Sequence, residues 1–151
     1  MNLSLIRKCV EEHQFAVYDS ADSWEDAIRK SVGTLVKSGS VLPAYADATI
    51  DMVHVHGPYI CLCPHICIPH AMVPELVNRP AIGFMKLNKP VAFSDNPNEF
   101  ADLFFSLASP DSTTHLTLLS MLSDLMDDEE VIEALLNVKC EDDLHKLLEQ
   151  A

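Results

Sequence analysis

Asp102-Leu103-Phe104-Phe105-Ser106-Leu107-Ala108, followed at once by Ser109-Pro110-Asp111-Ser112, holds the clearest structural signal in the chain. Its apolar residues fall on both alternating positions, as in a strand buried on both faces rather than half solvated. Such a strand belongs in the middle of a layered α/β domain. Beyond it, Leu116, Leu119, Met121, Leu122 and Leu125 recur at helical spacing and predict a helix over about 112–126. That Leu and Met stripe is expected to be core. Two more acidic helices are expected from about Asp127 and Glu141.

Upstream, Ser23 suits the cap of a helix carrying Trp24, Ala27, Ile28, Val32, Leu35 and Val36, with Gly39 where the helix should stop. Pro43 opens a second helix through Tyr45, Ile50 and Val53, broken by Gly57-Pro58. Between the helical blocks, Tyr59–Cys63 reads as a short buried strand continued by Ile66–Ile68. Ala81–Leu87 and Pro90–Phe93 read as two further strands. One layered α/β domain spanning residues 1–151 is the expectation.

Composition agrees. The chain of 151 residues is 48% hydrophobic and 22% charged, without repeats or low-complexity tracts. That rules out disorder and allows a full core without disulfides. The net charge of −13 would repel phosphate backbones and anionic lipid, so nucleic acid and membrane surfaces are excluded as partners. A partner with a basic face would be steered in. No apolar run approaches the roughly 20 residues of a membrane span, and Met1–Lys8 lacks a secretory pattern, so a soluble, cytoplasmic protein is expected. Five cysteines are an odd number, and Cys61, Cys63 and Cys67 lie too close together for an evident disulfide framework. Reduced thiols are expected.

His54, His56, His65 and His70 cluster with those three cysteines. One reading is a transition-metal site, but Cys61-Leu62-Cys63 lacks the usual ligand spacing. The alternative makes the cysteines small hydrophobes of a buried strand. A second candidate is His70 in Ile66-Cys67-Ile68-Pro69-His70-Ala71, where an apolar strand delivers an imidazole to the sheet edge. One ring nitrogen can attack a phosphoryl group while the other is held by a hydrogen bond. On that dipeptide alone, His70 is equally a satisfied strand-end histidine. His115, in the first turn of the helix after the last strand, adds the helix N-terminal environment that holds phosphate. Together the two histidines would make a phosphohistidine site needing neither metal nor cofactor.

The segments 66–71 and 109–115, with the preceding helices and the acidic C-terminal helices, resemble the IIA component of the bacterial phosphoenolpyruvate-dependent sugar phosphotransferase system, mannitol/fructose type. The resemblance covers nearly the whole chain. His56-Gly57-Pro58-Tyr59 and Leu87-Asn88-Lys89-Pro90-Val91 look most like the ascorbate branch. It implies a mixed sheet flanked by helices on both faces. It implies that His70 takes the phosphoryl group from HPr and passes it to a cysteine of a IIB component, with His115 as the second active-site histidine. The mannitol-type arginine position falls on His54, whereas His56 matches the ascorbate-type histidine and is the favoured phosphate contact. Docking is expected around His70, with Met72, Val73 and Pro74.

Two positions depart from the family pattern. His65 stands where a small or polar residue is usual, and Cys67 where alanine is usual. His65, five residues before His70, is thereby a candidate lining of the same pocket. Two other functions compete: a regulatory relative whose phosphorylation state gates a partner, and a His/Cys metal-binding domain.

Overall fold

A computed structural model describes residues 1–150. In chain order the elements are α1 (Ser4–Glu11), β1 (Phe15–Tyr18), α2 (Trp24–Lys37), α3 (Ala44–His56), β2 (Cys61–Cys63), β3 (His65–Cys67), β4 (Ala81–Ala92), β5 (Phe100–Ala108), α4 (Ser112–Met126), α5 (Glu129–Leu136) and α6 (Glu141–Gln150). The five strands form one sheet in the order β1-β4-β5-β3-β2. It is mixed: β1 runs parallel to β4 and β3 parallel to β5, while β4/β5 and β2/β3 are antiparallel.

Side-chain alternation sends the two faces of the sheet into separate cores. On one side Met85, Leu87 and Phe104 pack against Ile28, Val32 and Leu35 of α2 and Tyr45 and Ile50 of α3. On the other, Phe84, Leu103, Phe105 and Leu107 meet Ile6 of α1 and residues of α4, α5 and α6. Both sheet faces are therefore covered, as the two-sided apolar pattern of β5 requires. Gly83 marks the closest approach of α2 to the sheet. A Cβ there would collide with Thr34 Oγ1 and Ser106 Oγ.

The helix ends follow their sequence signals. Ser23 Oγ accepts from the Asp26 N–H, Asp111 from the Thr114 N–H and Asp128 from the Val131 N–H. Several expectations are corrected. Ala81–Leu87 and Pro90–Phe93 belong to one 12-residue strand, β4, whose pairing with β5 shifts register between Lys86 and Val91. Ile66–Ile68 does not continue 59–63; the chain reverses, and β2 pairs antiparallel with β3. The reversal places His65 at φ +78, a left-handed conformation that explains why a small residue suits this position. The stripe on α4 is only partly core: Leu122 and Leu125 are buried, whereas Leu116 is 67% exposed and Met121 partly so. Of the three cysteines only Cys67 is buried; Cys61 is half-buried and Cys63 exposed. No helix of the described residues is long and apolar enough to cross a membrane.

Candidate functional site

β3 and β5 run parallel, with Cys67 at the end of β3 opposite Phe104 of β5, and the candidate site is built where the chain leaves them. After β3, Pro69 fixes the backbone and has no N–H to offer the sheet. Its carbonyl still accepts from the Leu107 N–H at 2.9 Å, so the turn stays tied to β5. His70 leaves the sheet at this point.

Two tyrosines hold that turn. Tyr45, fully buried on α3, accepts at its hydroxyl from the Ala71 N–H at 3.0 Å and donates to the Leu107 carbonyl at 2.7 Å. Tyr59 donates to the His70 carbonyl at 2.6 Å and sets its ring edge-on to the His70 ring, with centroids 5.3 Å apart. Burial pushes the Tyr59 phenol up to about 12, which keeps it a donor at neutral pH. Both act on main-chain carbonyls, so sequence patterning marked Tyr45 as core and gave Tyr59 no role. A buried tyrosine needs a partner for its hydroxyl, and that was the available signal.

The His70 ring is half-buried and oriented from below. Its Nδ1 lies 2.6 Å from the Ile68 carbonyl oxygen, an acceptor only, so Nδ1 carries the proton. Nε2 then holds the lone pair and has no partner among the described residues. Burial draws the His70 pKa below its ordinary 6.5; the Ile68 carbonyl opposes this shift and His115 adds to it. The neutral ring is thus favoured near pH 7.

His115 comes from the first turn of α4, and its ring centroid lies 5.5 Å from that of His70. Asp111, the cap of α4, takes up the Thr114 N–H at 2.7 Å. The Ser112 N–H remains at the positive end of the helix, while the Asp111 carboxylate also draws on the Thr113 N–H. Two imidazoles and a helix N-terminus at one edge can hold and transfer an anion.

The other candidate histidines lie on α3 and at the start of β3. His56, the last residue of α3, is exposed at the C-terminal end of that helix. His54 packs on Trp24 with centroids 5.0 Å apart and sits 3.9 Å from Glu25. His65 begins β3 and pairs with Ala101, near the opposite end of β5 from Leu107. Pro69, beside His70, is tied instead to Leu107, six residues further along β5, so His65 lies toward the other end of the β3–β5 pair. Its Nδ1 contacts Asp102 at 2.9 Å and its ring abuts Phe100. No three His, Cys, Asp or Glu side chains among the described residues converge as a metal site would require.

A mixed sheet clad on both faces, with paired histidines at a strand end and a helix start, is an arrangement suited to phosphoryl transfer. Residues 8–151 match the family described as phosphoenolpyruvate-dependent sugar phosphotransferase system, EIIA 2, and the chain belongs to that family. It is 29% identical over 141 residues to the ascorbate-specific PTS system EIIA component of Shigella flexneri, covering 93% of this chain and 92% of that one. A crystal structure described as a PTS IIA (PtxA) from Streptococcus mutans superposes with a TM-score of 0.82 at 31% identity, covering 99% of this chain and 94% of its own. The Escherichia coli complex of enzyme IIA mannitol with phosphorylated enzyme IIB mannitol matches at a TM-score of 0.72 and 25% identity, covering 93% and 96%. The chain is therefore a phosphotransferase component.

Proposed function

We propose that this chain is a cytoplasmic phosphohistidine carrier: His70 accepts a phosphoryl group from HPr and passes it to a IIB component during uptake of an ascorbate-type substrate. The observation that carries the reading is the His70 Nδ1 bond to the Ile68 carbonyl. It fixes the tautomer and turns Nε2 outward beside His115. The ascorbate-specific relatives and the complex with a phosphorylated IIB support the branch and the acceptor.

In the forward step the Nε2 lone pair attacks phosphorus in line, and the nitrogen–phosphorus bond of phospho-HPr breaks behind it. Return of the group to a IIB nucleophile is the same displacement with His70 as leaving group. Such transfers ask for positioning and charge stabilisation rather than a resident cofactor. His115 and the N-terminal end of α4 would hold the phosphoryl oxygens, with His56 as a further phosphate contact. The docking face is marked by Met72, two residues after His70 and 54% exposed, and by Leu116, next to His115. The chain's net charge of −13 suits a basic carrier.

The test is intact-mass measurement at neutral pH after incubation with phosphoenolpyruvate, enzyme I and HPr. Wild type should gain one phosphate and His70→Ala none. Full labelling of His70→Ala would sink the assignment.

A further inference from the structure

The hairpin that ends at His70 carries a second piece of chemistry. Cys61 of β2 lies directly opposite Cys67 of β3. The Ile68 N–H donates to the Ile60 carbonyl at 2.9 Å, so the neighbouring pair, Cys61 with Cys67, is a non-hydrogen-bonded antiparallel pair. In such a pair the side chains lie on one face and the Cα atoms about 4.5–5.5 Å apart, inside the range a disulfide spans. Both side chains pack against the core beneath α2 and α3. Cys67 is fully buried and Cys61 half-buried. Burial, with the neighbouring Cys61 adding to it, pushes the Cys67 thiol up.

We infer that Cys61 and Cys67 are a redox-active dithiol, oxidised by hydroperoxides to a disulfide across the β2–β3 hairpin. Cys61, the accessible member, attacks the peroxide: a sulfur–oxygen bond forms, the oxygen–oxygen bond breaks, and water leaves. Cys67 then attacks the Cys61 sulfenic sulfur; the sulfur–sulfur bond forms, and hydroxide departs as water with the Cys67 proton. Two thiols lose two electrons, and one hydrogen peroxide becomes two waters. Cys63 is the worse partner for Cys61. Two residues along one strand its Cα is roughly 6.7 Å away, at the upper limit for a disulfide, and it faces Ile66 rather than Cys67.

The pair sits where it would be felt. Tyr59 lies two residues before Cys61 and His70 three after Cys67, so the disulfide would join the two segments whose Tyr59–His70 contact sets the ring. Drawing the two sulfurs into a covalent bond shifts those segments against each other and slows phosphoryl acceptance. This consequence rests on the carrier reading; the thiol chemistry does not.

The experiment exposes the reduced full chain to hydrogen peroxide, removes the peroxide, unfolds the protein in guanidinium chloride, blocks remaining thiols with N-ethylmaleimide and weighs the intact protein. A parallel sample is assayed for phosphate acceptance from phosphoenolpyruvate, enzyme I and HPr. Wild type and Cys63→Ser should each lose two alkylatable thiols, regained with dithiothreitol, while Cys61→Ser and Cys67→Ala lose none. Oxidised wild type should accept phosphate about tenfold more slowly, a displacement effect, and peroxide-treated Cys61→Ser at its untreated rate. Paired thiol loss persisting in Cys61→Ser, or oxygen addition without paired loss, would overturn the dithiol. A disulfide that leaves acceptance unchanged would overturn its coupling to His70. Should neither redox state accept phosphate, the carrier reading fails, and the thiol count still decides the pairing.

Discussion

His70 donates from Nδ1 to the carbonyl oxygen of Ile68, two residues earlier in the chain and 2.6 Å away. The bond spends the ring's proton on the backbone, so only Nε2 can act as nucleophile. The phosphorylated protein should therefore carry its phosphate on Nε2. Long-range proton–nitrogen correlation spectra distinguish the two phosphohistidine isomers, and finding the Nδ1 isomer would mean that the ring turns over before it reacts.

The pH response follows from burial. In the folded chain the His70 pKa lies below its ordinary 6.5, so charging the ring costs more there than in the unfolded chain. Above pH 6.5 the ring is neutral in both states and folding loses nothing to it. Below 6.5 the unfolded chain takes the proton first, and stability declines until the pH passes the folded value. An NMR titration of the His70 ring should show a midpoint below 6.5. In His115→Ala that midpoint should rise, because a neighbouring positive charge has gone. A midpoint that stays put would show that His115 does not reach the ring electrostatically.

How much of this was legible in the sequence depended on length and periodicity. β5 and α2 announce themselves through runs of apolar residues with clear caps. α1 and β1 were missed: Ser4–Glu11 sets Ile6 and Cys9 at helical spacing but is only eight residues long, and the four residues of β1 are all half-buried and show no alternation. β2 and β3 are three residues each, too short to separate from a single strand until the turn at His65 is seen. The site histidines were visible because imidazoles at strand and helix ends are chemically conspicuous. The tyrosines were not, because they work through carbonyls whose position only the fold supplies. Leu116 and Met121 misled for a related reason, since a helical stripe does not say which of its members the sheet will cover.

His65 should prove a structural residue. It caps the hairpin at φ +78 and is the hydrogen-bond partner of the buried Asp102 carboxylate. His65→Ala keeps a Cβ in the left-handed conformation and strips Asp102 of its partner, so the urea midpoint should fall by the equivalent of about 1–3 kcal/mol. His65→Gly should recover about 1 kcal/mol of that through its backbone freedom. Neither should change phosphate acceptance. An acceptance defect in His65→Ala at unchanged stability would return this residue to the phosphate pocket.

Adjacent residues on α4 should separate chemistry from docking. The His115 ring faces His70, whereas the Leu116 side chain is 67% exposed and supports none of the core. His115→Ala removes a group poised for the phosphoryl oxygens, so kcat for acceptance should drop about 10²-fold, the usual cost of losing one stabilising donor. Leu116→Ser removes apolar surface that only a docked partner would cover. Burying a leucine is worth about 1.5–3 kcal/mol, so KM for phospho-HPr should rise tenfold or more with kcat held. Steady-state transfer at varied HPr concentration reads both, and the thermal midpoint of Leu116→Ser should match wild type. If Leu116→Ser instead lowered kcat alone, the side chain would be shaping the phosphate site rather than the docking face, and the partner would have to approach from the Met72 side.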